Sequence, residues 1–233
     1  MSKPKKQTPL QLFAAVCGIV GPLIMAVGML AAALAYRGKS GQSYSILNHF
    51  VSELGELGVS NLAWAFNWSL IAGGILATIF MIYLAAQLRT WIKYPLGLLS
   101  VIATLSGGLV GVFPMNSLAP HLRAALTFFN LGMLVSLIYS LVILFGGKHP
   151  FPKWLSIPGL LSTAAFTLFL YYPSEIDSTD INFQDAMAKL FANRPDFIPL
   201  ALMEWSVIIG ILIWIAMLAA YLFFYQPVSH KAK

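Results

Sequence analysis

Six apolar runs divide this chain, each long enough to cross a bilayer as a helix. They cover about residues 10–35, 62–88, 94–113, 122–145, 154–171 and 198–225. A hydrocarbon core of about 30 Å calls for about 20 helical residues. Within it, backbone N–H and C=O groups must be satisfied without water, which a single run achieves by forming a helix. The expected architecture is therefore all-α: one integral membrane domain over residues 1–233, built as a six-transmembrane-helix bundle. A short polar helix is expected after the first span and a longer loop between spans five and six. The first run follows Lys3, Lys5 and Lys6 as a secretion signal would. It exceeds the roughly 7–15 residues of a signal core, and is read as an uncleaved span.

Composition agrees. With 59% hydrophobic and only 9% charged residues, a soluble globule of this chain would leave too much apolar surface in water. The net charge of +6 does not point to nucleic acid, because the basic residues lie at the ends of apolar runs and form no patch interleaved with aromatics. Cys17 is the single cysteine, so no intrachain disulfide and no thiolate metal cluster can form.

The basic residues set the expected orientation. With the N-terminus inside, Lys3, Lys5, Lys6, Arg89, Lys93, Lys148, Lys153, Lys231 and Lys233 fall on the cytoplasmic side, the side that retains Lys and Arg. Both termini are then cytoplasmic in a multi-pass protein of the cell membrane. All eight acids, Glu53, Glu56, Glu175, Asp177, Asp180, Asp185, Asp196 and Glu204, fall on the outer side or at the outer helix ends. The polar chemistry of the chain is thus expected at one face.

The polar insert Tyr44 to Asn61 (YSILNHFVSELGELGVSN) is the core of that chemistry. Read as a helix from Ser45, it places His49, Ser52, Glu53 and Glu56 on one face, with Ile46, Phe50, Leu54 and Leu57 on the other. Three further pieces reach the same side: the turn Phe113-Pro114-Met115-Asn116 leading to His121 and Arg123, the long last loop, and Glu204 in the last span. In that loop Phe183, Met187, Leu190 and Phe191 recur at helical spacing after a cap at Asp180, as in a short amphipathic surface helix. Ionisable groups at membrane depth are rare and mark sites by default.

The expected site is a polar pocket at the outer leaflet formed by Ser52, Glu53, Asn116, His121, Arg123 and Glu204. The reading favoured is binding of a membrane lipid or small amphiphile, with His121 and Arg123 on the head group and Glu53 and Glu204 setting pocket charge. A second reading is a metal-assisted membrane hydrolase in which His49, Glu53, His121 and Glu204 supply ligands to a metal with an open position. Against it, the sequence has no HxxH or HExxH spacing. A third reading is a structural subunit of a larger membrane complex, with a membrane-protein partner and an internally satisfied polar network. In that network Glu204 would pair with Arg123 or His121.

Several of these residues together resemble a known family. Tyr44-Ser45 followed by Ser52-Glu53-Leu54-Gly55, Asn67 in the second span, Gly111 to Asn116 followed by His121, and a glutamate early in the sixth span are similar to the prokaryotic membrane proteins called domain of unknown function 998. The resemblance covers most of the chain and implies a six-helix integral membrane fold without an established activity. Asn116 and Trp205 stand where that family often has Asp and Arg.

Overall fold

The computed structural model describes residues 7–39, 41–146, 149–173 and 189–225. Six long helices carry the fold: α1 (Pro9–Ala35), α2 (Ala63–Ala86), α3 (Lys93–Val112), α4 (Leu118–Phe145), α5 (Ser156–Tyr171) and α6 (Pro199–Phe224). All six are long and apolar enough to cross a membrane, α4 and α5 each together with the short 3-10 turn that precedes it. The apolar runs predicted these helices to within a few residues. Each packs against its neighbours in sequence, and α6 returns to pack on α1, so the helices close into a ring. The outward side chains are those of a lipid-facing surface, among them Leu23, Leu30, Ile75 and Leu161. Trp91, Tyr94 and Trp154 stand exposed near one end of the ring, and Trp64 near the other, as in the aromatic belts of membrane interfaces.

Two devices hold the ring. Backbones approach closely where glycines meet: a Cβ on Gly74 of α2 would lie 2.8 Å from the Gly108 Cα of α3. Gly107 and Gly111 of α3 stand at the small-xxx-small spacing of close helix contacts. Gly111 does pack on the α2 backbone at Asn67, whereas Gly107 faces Phe128 of α4. Polar pairs add links inside the membrane, with Thr78 and Thr104 hydroxyls 2.7 Å apart and those of Ser136 and Thr163 2.9 Å apart. At the end away from the insert, Gln11 Nε2 donates to the carbonyls of Leu222 (2.8 Å) and Tyr225 (3.0 Å). The start of α1 thereby satisfies carbonyls that the end of α6 leaves without helical partners.

The insert is not the helix its spacing suggested. Residues 46–48 form a turn, Val51–Gly55 a single 3-10 helix, and the chain then turns again before α2. Local side-chain bonds stop a longer helix from propagating. Glu53 Oε1 folds back to accept from Phe50 N at 2.8 Å, and Gly58 adopts φ 82°, a conformation natural to glycine and outside any helix. The division into two faces changes accordingly. His49 and Glu53 are both 2% exposed, while Ile46, Leu47 and Leu57 point outward. Of the amphipathic helix expected in the last loop, Phe183 and Met187 lie outside the described residues. Its end is helical at residues 189–192, and Leu190 and Phe191 pack on Phe50, Ile198 and Ala201.

Candidate functional site

The 3-10 turn of the insert lies across one end of the ring, touching α1, α2, α6 and the turn Met115–Ser117. Each contact is a specific bond. Glu204 Oε2 accepts from Val51 N at 2.7 Å, Asn67 Nδ2 donates to Gly55 O at 3.0 Å, and Ser52 Oγ donates to Met115 Sδ at 3.3 Å. Asn116 grips Leu57 twice, accepting from its N–H at 2.7 Å and donating to its carbonyl at 3.0 Å. An aspartate could make only the first of these two bonds. Tyr44 donates to Phe50 O at 2.9 Å and receives Trp205 Nε1 at 2.9 Å, so Trp205 too serves to seat the insert.

Glu53 holds the other side. Its carboxylate meets the Arg194 guanidinium in a two-pronged pair, Nη1 to Oε1 at 3.0 Å and Nη2 to Oε2 at 2.7 Å, with side chains only 3% and 12% exposed. Arg194 also donates to Asn48 O, and Leu47 O accepts from Ile198 N at 2.8 Å, which joins the insert to the start of α6. Burial raises the Glu53 carboxyl above its ordinary value, while Arg194 and the Phe50 N–H act to lower it. His49 packs between the Tyr36 and Tyr44 rings, at centroid distances of 5.4 and 5.0 Å. Burial, with the nearby Arg194 charge, brings its pKa down to about 4. Burial likewise pushes the Tyr44 hydroxyl well above its usual range.

Beneath this cover a cavity of about 100 Å³ runs inside the ring. Its walls are apolar, with Met25 from α1, Leu70 from α2, Ala103 from α3, Phe129 from α4 and Ile211 from α6. Three of the expected site residues, Ser52, His121 and Glu204, also line it, together with Val51 of the cover. His121 Nδ1 lies 2.8 Å from Phe113 O. A carbonyl can only accept, so Nδ1 carries the proton and Nε2 of the neutral ring is an acceptor. Among the described residues, neither His121 Nε2 nor Glu204 Oε1 has a hydrogen-bond partner.

The residues expected to form one polar pocket are distributed between an apolar cavity and its cover. Ser52, His121 and Glu204 face one cavity, whereas Glu53 and Asn116 fasten the cover. Arg123 is exposed on α4 and does not line the cavity, so the expected head-group role for it is not met there. Its distance from the cavity follows from the register of α4: the positions of His121, Ala125 and Phe128 turn inward, and that of Arg123 turns out. Glu204 pairs with neither Arg123 nor His121 but with a backbone N–H. As a metal site the set His49, Glu53, His121 and Glu204 does not assemble. Glu53 is taken up by Arg194, His49 Nδ1 lies 2.8 Å from Asn48 Oδ1, and no group of three or more His, Cys, Asp or Glu among the described residues stands close enough to hold an ion.

Sequence reasoning missed Arg194 as the partner of Glu53. The available signal was its place beside Pro195, immediately before the last span, where a loop must turn back onto the bundle.

A family model described as a protein of unknown function, DUF998, matches residues 19–221. No curated protein and no solved structure matches the chain.

Proposed function

The chain belongs to the DUF998 family of proteins of unknown function, and from that footing we propose that it binds an amphiphile with a hydrogen-bond-donating head, such as a long-chain amine or alcohol. The tail lies between Met25, Leu70 and Ile211, and the head reaches Glu204 and His121. The observation that carries this reading is the pairing of a largely apolar cavity with two residues lining it, Glu204 and His121, whose Oε1 and Nε2 have no hydrogen-bond partner among the described residues. An anionic head brings no donor to these two acceptors. An ammonium or hydroxyl supplies the missing donors. The insert is the cover of this chamber, and by the distribution of Lys and Arg it stands on the extracytoplasmic side.

Native mass spectrometry of the detergent-purified protein with hexadecylamine, hexadecanol and hexadecanoate tests this reading. Amine and alcohol are retained and the acid is not. Glu204→Gln removes the carboxyl group but keeps an acceptor, and weakens the amine about tenfold, equivalent to ~1.4 kcal/mol, with a smaller effect on the alcohol. Equal retention of all three, unchanged by Glu204→Gln, overturns it.

A further inference from the structure

Several Ser and Thr hydroxyls on the helices of this bundle bond a neighbouring helix or their own backbone, as Thr78 does with Thr104, Ser136 with Thr163 and Ser206 with Leu202 O. The amide of Asn67, buried at the insert, donates to Gly55 O and leaves Oδ1 unpartnered among the described residues. Asn130 is an amide on the outward side. It lies near the middle of α4 and is exposed on the outside of the ring. Nδ2 donates to Leu126 O of its own helix at 2.8 Å, which leaves Oδ1 and the second N–H without partners among the described residues. At that depth lipid offers no substitute for water, and a half-satisfied amide facing hydrocarbon is costly. The exposed residues sharing its face are Arg123 toward the insert end and Leu126, Leu134 and Leu141, which follow at steps of three or four residues or their sum. This is a leucine seam with a single asparagine in it, the pattern by which helices select a partner and a register.

We propose that this face of α4 binds a second copy of the same chain, α4 against α4 about a twofold axis along the membrane normal. An amide carries both a donor and an acceptor, so across such an axis each Asn130 completes the other: Nδ2 of one donates to Oδ1 of its copy. A leucine seam is likewise complementary to itself. Arg123 lies two turns toward the insert end on the same face. Its length lets the two guanidinium groups part to head-group level rather than oppose one another. The pairing uses the outside of the ring and does not depend on what occupies the cavity.

Single-molecule photobleaching of the full chain at low density in liposomes tests the proposal. The protein pairs, Asn130→Leu raises the dimer dissociation constant about tenfold, and Asn130→Gln, which keeps the amide, pairs like the parent. Because Asn130 is exposed, these changes leave the fold of the monomer in place, and a thermal melt confirms that for each variant. In a Cys17→Ala background, Asn130→Cys forms an intermolecular disulfide under mild oxidation and Leu161→Cys on exposed α5 does not. A parent protein monomeric at all densities, unchanged pairing of Asn130→Leu, or equal cross-linking at position 161 overturns it.

Discussion

The carboxylate of Glu204 in the last helix accepts a hydrogen bond of 2.7 Å from the backbone N–H of Val51, 153 residues earlier in the chain. One oxygen of an acid within a membrane span thereby fastens the loop that covers the bundle, and the other is left without a partner among the described residues. The two oxygens make separable predictions.

Glu204→Ala removes the acceptor and strands a buried N–H. The cost is about 1–3 kcal/mol, read as a lower melting temperature in detergent. Glu204→Gln retains an acceptor for Val51 and melts near the parent. Equal losses for the two variants would show that some other property of the carboxyl group, and not the bond to Val51, holds the cover.

Arg194→Ala leaves Glu53 buried without its counter-charge, a change that costs about 3–5 kcal/mol where such pairs are well enclosed. The double variant Glu53→Gln with Arg194→Met destabilises less than the two single losses together, because no unpaired charge remains. Limited proteolysis across residues 44–61 reports the loosened cover directly. Additive effects would mean the pair is not coupled.

His49 gives the cover a pH dependence of fixed sign. In the unfolded chain its ring titrates near 6.5 and in the fold near 4, so between those values the unfolded state takes up the proton. The His49 contribution is therefore complete above about pH 6.5 and is lost as pH falls toward 4. Glu53, whose carboxyl is raised, acts in the opposite sense as pH falls. Comparison with His49→Gln removes that shared background: the parent loses melting temperature faster than the variant between those limits. Parallel slopes would contradict the assignment.

Gly74→Ala places a methyl 2.8 Å from the Gly108 backbone, which cannot yield as a flexible side chain would. The α2–α3 contact opens at a cost of about 1–3 kcal/mol. Ala at Gly58, where φ is 82° but nothing lies within 4 Å, tests strain without crowding. A smaller loss is expected there.

The six spans were legible because length and apolarity alone decide them, and the meeting of His49, Glu53, Asn116, His121 and Glu204 at one end followed from counting crossings. What the sequence withheld is set by relative rotation of helices and by single turns. Nothing in the spacing of α4 says that His121 faces the axis and Arg123 the lipid, since that depends on which neighbours close the ring. The path of the insert depends on Gly58 and on Glu53 folding back to Phe50, which override an acceptable helical pattern. Arg194 reaches Glu53 across 141 residues because the chain turns at Pro195, and no local periodicity reports such a contact. The cavity belongs to five helices at once, and so to no stretch of sequence.

The central claim is that the ring interior receives the tail of an amphiphile. Photo-cross-linking with a long-chain amine carrying a diazirine in its tail, followed by peptide mapping, tests it most directly. The account predicts adducts on the inward residues Met25, Leu70 and Ile211, and their loss when excess hexadecylamine competes. Adducts confined to lipid-facing residues such as Leu23, Ile75 and Leu161, unaffected by competitor, would contradict it.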